Sequence, residues 1–209
     1  MPNPNDTVLT QTFTAKLQNH HTYAIRWACL GDLASPPLIF IHGEPWSLRL
    51  RAPFALAFSK YFSVYLSDNP GYSKTVEIDS ADTSTKDVSL ATQGEAFACL
   101  LASRDIQAPH IVAHDYGDRI ALHAKLVHGA VYVSLCLIDV LALAPWGTPF
   151  FSLVLSQESV FEQINPPIFE GMLRDYIRQA AYKPLAAEVE DMIEQPWSGR
   201  GFQTDCTVS

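Results

Sequence analysis

Pro109-His-Ile-Val-Ala-His-Asp-Tyr-Gly-Asp-Arg-Ile-Ala-Leu-His123 places an aspartate, Asp115, where an apolar strand turns into a helix. A nucleophile presented on such an elbow needs small residues two before and two after it, so that strand and helix can approach. Ala113 and Gly117 meet that demand. A carboxylate at this position suits displacement at a saturated carbon, as in an epoxide or alkyl halide. Attack on an ordinary ester would instead give an energetic anhydride. Taken alone, the segment is also consistent with a polar residue that ends a strand and caps the next helix.

Two upstream segments bear on that choice. Pro36-Pro-Leu-Ile-Phe-Ile-His-Gly-Glu-Pro-Trp46 reads as a buried strand ending in a His-Gly-x-Pro turn. Phe62-Ser-Val-Tyr-Leu-Ser-Asp-Asn-Pro-Gly-Tyr-Ser73 reads as another strand, broken at Pro70-Gly71. The ordered set of His-Gly-x-Pro, Asp-x-Pro-Gly-Tyr and His-Asp-x-Gly resembles the α/β-hydrolase superfamily, in particular its aspartate-nucleophile branch of epoxide hydrolases and dehalogenases. The likeness spans residues 13–139 and is weak beyond.

That resemblance implies roles at matched positions. Asp115 would be the nucleophile. The backbone N–H groups of Tyr116 and of Glu44, which follows His42-Gly43, would form the oxyanion hole. Gly43 and Pro45 would shape the loop, and His42, Gly43, Pro45, Trp46 and Trp146 would line the site for a small hydrophobic molecule. Tyr176 or Tyr182, on a helical lid, could donate a proton to an epoxide oxygen, since an alkoxide leaves poorly. Histidines like His42 and His114 usually pack beneath the site in this family, so a structural role is expected for both.

The sequence also departs from the family pattern. Haloalkane dehalogenases commonly hold halide with an indole after the nucleophile and an amide in the His-Gly-x-Pro loop; here Tyr116 and Glu44 stand there. Asp118 adds a second carboxylate near Asp115. It would raise the pKa of Asp115 unless Arg119 or solvent compensates, or it caps the helix start. The largest departure concerns histidine, whose residues fall at positions 20, 21, 42, 110, 114, 123 and 128 only. In this fold the charge-relay acid and catalytic histidine follow late strands, so the triad is incomplete in these residues. A complete capped member runs to roughly 250 residues or more, which leads us to expect a core whose last strands are missing.

The element pattern gives strands at 11–17, 22–30, 38–41, 64–67, 110–113 and 132–140, and helices at 52–60, 87–104 and 117–127. Strands alternating with helices predict a doubly wound, mostly parallel α/β sheet with ligands at the C-terminal strand ends. Asp68, in its Pro-Gly turn, is expected to be a turn former. Residues 1–143 are expected to form the core and 144–198 a partial helical lid, with helical patterns at 169–178 and 185–193. Residues 199–209 read as a disordered tail.

With 48% hydrophobic and 17% charged residues and a net charge of -8, the chain has a globular composition and no basic stripe for nucleic acid. The polar N-terminus lacks a signal-peptide pattern and no apolar run reaches spanning length, so a cytoplasmic protein is expected. Cys29, Cys99, Cys136 and Cys206 show no metal spacing; neither metal nor cofactor is expected, and the thiols should be reduced. The final strand should leave an apolar edge that invites self-association. The expected activity is that of an epoxide-hydrolase-like enzyme impaired by the missing histidine. The alternative is a non-catalytic binding or relic protein of the same fold.

Overall fold

The computed structural model describes residues 11–18, 21–43, 48–72, 76–77, 87–143, 148–161 and 163–194. Two compact units divide it, Met1–Ala142 and Leu143–Ser209.

The first unit is built on one sheet. Strands β1 (Gln11–Lys16), β2 (Thr22–Leu30), β3 (Pro37–Ile41), β4 (Ser63–Ser67), β6 (His110–His114) and β7 (Ser134–Ile138) lie in the order β1-β2-β4-β3-β6-β7. A two-residue strand, β5 (Val76–Glu77), sits beside β2. The sheet is mixed: β2 runs antiparallel to β1, β4 and β5, while β3–β4, β3–β6 and β6–β7 are parallel. The opening strand pair is therefore joined as a hairpin, whereas the helical crossovers make the parallel half. Asp115 follows the strand between β3 and β7, deep in that half.

Helices α1 (Ala52–Phe58), α2 (Leu90–Ser103) and α3 (Tyr116–His128) accompany the sheet. A core of Ile39, Ile41, Phe97, Leu101, Ile111, Ile120 and their neighbours fills the space among β3, β6, α2 and α3. A separate cluster that includes Phe40, Leu48, Ala55, Val64 and Leu66 seats α1 on the sheet. Helix α2 begins at Leu90 rather than at 87, because the Ser89 side chain caps it by accepting the Thr92 N–H. Asp87 stays outside, accepting from Ser89 N at 3.0 Å and Thr92 Oγ1 at 2.6 Å.

Helix α3 stops at Gly129, whose φ of 71° is left-handed and lets the Ala130 N–H reach Ala124 O. The following strand is shorter than its apolar run. Tyr132 leaves it to donate its hydroxyl to Ala121 O, and Asp139 ends it at a φ of 57°. On the far side from β6, β7 has no strand partner among the described residues.

The second unit contains α4 (Pro149–Ser156), α5 (Glu158–Phe161), α6 (Pro166–Ala180) and α7 (Ala187–Glu194). Helix α6 buries Phe169, Leu173 and Ile177, and α7 buries Ile193. Arg174 pairs with Glu194 at 2.6 Å and Arg178 with Glu190, tying α6 to α7. No helix among the described residues is long and apolar enough to cross a membrane.

Candidate active site

Asp115 sits between the end of β6 and the start of α3 with φ 55° and ψ -125°. A non-glycine residue there is strained by about 1–3 kcal/mol, which the surrounding structure must offset. The backbone does so on both sides: Asp115 N–H donates to Ile138 O at 2.9 Å, and Asp115 O accepts from Asp118 N at 3.0 Å. Asp115 occupies the N-cap position, but its side chain makes no capping hydrogen bond. The capping role open to it from sequence alone is therefore not the one it performs.

The two small neighbours act as the elbow geometry requires. Ala113 is completely buried between β3 and β7. A methyl group on Gly117 would fall 2.8 Å from both His42 O and Ile41 O, so only glycine lets α3 approach the end of β3 this closely. Gly43 is as constrained from the opposite side. A methyl group there would lie 2.5 Å from Asp115 Cβ, 2.6 Å from its Oδ2 and 2.7 Å from His114 O. The His-Gly turn thus runs directly against the Asp115 carboxyl.

His42 is almost fully buried and both ring nitrogens meet backbone. Nε2 accepts the Asn69 N–H at 3.2 Å, which leaves Nδ1 to donate to Gly43 O at 3.0 Å. That pattern fits the neutral Nδ1–H tautomer. Asn69 closes the clamp through its side-chain amide on His42 O at 3.3 Å, and Tyr72 meets the imidazole edge-on at 5.3 Å. The ring therefore ties the His-Gly turn to the Asp-Asn-Pro-Gly-Tyr turn. Asn69 escaped the sequence reading, because Asp-Asn-Pro-Gly reads as turn chemistry in which any polar residue fits.

Tyr116 opens α3, where N–H groups point out of the helix rather than into its ladder. Its ring is buried, with the Arg119 guanidinium 4.9 Å above it. Arg119 is thereby engaged with an aromatic face. The charge that favours ionisation of Asp118 comes from Arg51 instead.

Asp118 is fully buried, and neither carboxylate oxygen has a hydrogen-bond partner. Desolvation pushes its pKa up to about 7, and the charges of Asp115 and Asp139 push the same way. The backbone of Ile138 and the charge of Arg51 offset this only in part. The Ile138 backbone is close enough to act electrostatically without making a hydrogen bond to the carboxyl. His114, half-buried, is held below the usual histidine range by burial and then by Arg51, against the opposing charge of Asp139. Asp139 did not stand out in the sequence. A lone aspartate after an apolar strand looks like a turn residue, and only the pairing of β7 with β6 brings it to this end of the sheet.

Glu44, Pro45, Trp46 and Trp146 lie outside the described residues, as do Cys206 and residues 199–209. In the second unit, Tyr176 stacks on Phe150 at 5.5 Å, while Tyr182 is 99% exposed. Cys29, Cys99 and Cys136 are free thiols. No cluster of three or more metal-ligating side chains occurs among the described residues.

Comparison with known proteins agrees with this architecture. The model of the alpha/beta hydrolase family matches residues 38–205. A crystal structure of an alpha/beta hydrolase fold protein from Burkholderia ambifaria is similar at 30% identity and a TM-score of 0.81, over 95% of this chain and 68% of that one. A mutant protein from Pseudomonas aeruginosa, described provisionally as an epoxide hydrolase, is 18% identical with a TM-score of 0.71, over 96% of this chain and 70% of its own. A protein described provisionally as an ancestral haloalkane dehalogenase is 15% identical with a TM-score of 0.69, over 95% and 67%. At that identity the last two share the fold alone. Among curated proteins no sequence matches the chain. With most of its length matched by the family model, this chain belongs to the alpha/beta hydrolase family.

Proposed function

We propose that the chain is an epoxide-hydrolase-like member of its family, in which Asp115 opens a small hydrophobic epoxide or displaces halide from an alkyl halide. The observation that carries this reading is the strained left-handed backbone of Asp115 with Gly43 packed against its carboxyl. Strain of this kind persists where a side chain must be presented in one orientation. A carboxylate oxygen of Asp115 forms the new C–O bond as the C–O bond of the epoxide or the carbon–halogen bond breaks, leaving an alkyl-enzyme ester. Halide leaves with its electron pair. The epoxide oxygen must take up a proton, and Tyr176 or Tyr182 is assigned that role.

In the second half-reaction water attacks the ester carbonyl, and the N–H groups of Tyr116 and Glu44 receive the developing oxyanion. One such donor is typically worth about 3–4 kcal/mol. His42, Gly43, Pro45, Trp46 and Trp146 are assigned to the substrate's surroundings, His42 through the loop it holds. Water attack also needs a base. His42 has both nitrogens committed to backbone, and no histidine follows His128 in these 209 residues. Ester hydrolysis is thus the step for which these residues offer no assigned base. The same observation favours the second reading, a binding protein of hydrolase fold without turnover.

Incubation with styrene oxide or 1-bromohexane followed by intact mass spectrometry and peptide mapping tests the assignment. One adduct on Asp115, absent from Asp115→Asn, is the expected result. Labelling elsewhere, or equal labelling of Asp115→Asn, would remove Asp115 from the role.

A further inference from the structure

Asp118 caps no helix and its carboxyl makes no hydrogen bond, yet it is buried in the first turn of α3, three residues after Asp115. It stands one helical turn after Asp115, with its own N–H bonded to Asp115 O. Its side chain is completely buried and neither oxygen finds a hydrogen-bond partner. An ionised carboxylate is costly there, because a buried charge needs pairing and hydrogen bonds to offset lost hydration.

The charged groups that face it come from three directions. Asp115 lies on the elbow, Asp139 at the end of β7, and Arg51 just before α1. His114, at the end of β6, senses Arg51 and Asp139 in turn. Two carboxylates against one guanidinium leave an excess of negative charge around Asp118. Neighbouring carboxylates in a poorly solvated site do not all ionise together; one keeps the proton. Of Asp115 and Asp118, the completely buried and unpartnered side chain is the one that keeps it.

We propose that Asp118 is a positioning residue that carries the proton of this carboxyl group set, so that Asp115 is the ionised member of the pair at the elbow and stays aimed along it. This rests on the reading of Asp115 as nucleophile. When Asp118 loses its proton, a second negative charge appears beneath the elbow. Asp115 is then driven from its attacking orientation by repulsion that the buried surroundings screen poorly. Its carboxylate remains basic but is no longer placed for displacement.

The test is the rate of single alkylation of Asp115 by 1-bromohexane between pH 5.5 and 9, followed by intact mass. This probe releases bromide and needs no proton, so its profile reports the carboxyls rather than an acid catalyst. Wild-type alkylation should fall at least about fivefold from pH 6 to pH 8.5, following one ionisation near neutrality. In Asp118→Asn, a neutral isostere, the ratio of the two rates should approach one. Asp139→Asn removes a charge that opposes ionisation of Asp118, so the inflection should move to lower pH. It carries the test if Asp118→Asn does not fold. Matching profiles for wild type and Asp118→Asn, or an unmoved inflection in Asp139→Asn, would overturn the role of Asp118 while leaving Asp115 as nucleophile. No adduct in any variant at any pH would overturn both.

Discussion

Gly43 lies so close to Asp115 that a single methyl group on it would overlap the carboxylate oxygen Oδ2, at 2.6 Å. That contact joins the end of β3 to the elbow after β6. A glycine is required there for space rather than for conformation, since its own backbone lies outside the left-handed region that Gly129 and Gly71 occupy.

Gly43→Ala should therefore suppress alkylation of Asp115 by more than tenfold and destabilise the fold by about 1–3 kcal/mol, the usual cost of overpacking. Gly117→Ala should cost a similar amount through its clash with His42 O and Ile41 O. Denaturant unfolding monitored by circular dichroism, alongside intact-mass alkylation, measures both effects. A Gly43→Ala protein with wild-type stability and labelling would mean that the carboxyl moves freely.

Loss of the histidine clamp should act on stability first. Asn69→Ala removes the side-chain bond to His42 O, and His42→Ala removes both ring contacts and leaves a buried void. The expected losses are about 1 kcal/mol and about 2–4 kcal/mol respectively, read as shifts in denaturation midpoint. A stable His42→Ala protein that had lost only ester hydrolysis would identify His42 as a base instead of a clamp.

Stability should also depend on pH through Asp118. Its folded pKa of about 7 lies above the ordinary value of 3.8, so the folded state binds the extra proton. The resulting stabilisation is fully present below the unfolded value and is lost as pH rises through neutrality. Wild type should thus lose stability relative to Asp118→Asn between pH 5.5 and pH 8.5 in denaturant titrations. A constant difference between the two proteins across that window would contradict a buried, proton-bearing Asp118.

The stretch from Ala130 to Ile138 contains no charge and no proline, and β7 lacks a strand partner on its outer side among the described residues. Such an edge is a template for pairing with another copy. The 209-residue chain should self-associate in sedimentation or light scattering, and Cys136→Lys, at an exposed position of β7, should shift it toward monomer. A monodisperse wild-type monomer that binds no hydrophobic dye would contradict this.

What could be read from sequence follows from what each kind of signal encodes. The elbow was legible because Ala113 and Gly117 answer a steric demand local to five residues. The strands β1 to β4 and helices α2 and α3 were legible from apolar periodicity. The sheet's mixed direction was less so, because periodicity does not record which neighbour a strand chooses; β2 runs against three of them. The short β5 carries too few residues to show a period. Helix α4 was hidden in a stretch apolar on several sides, and α5, a single turn, is too short to show a period. Asp118 and Asp139 needed the fold itself. Only tertiary packing removes water from the first and brings the second, across β7, toward the same end of the sheet, which is also why compensation comes from Arg51 rather than the adjacent Arg119.

The central claim of the proposed function is that Asp115 forms the ester and that the described residues supply no base for the step after it. The most direct measurement is a time course of the 209-residue chain with excess styrene oxide, following adduct on Asp115 and released diol together. The account predicts that adduct rises to one equivalent per chain and persists while diol release stays negligible. Sustained diol release that depends on Asp115, with adduct at a low steady level, would contradict it and require a base among the residues described.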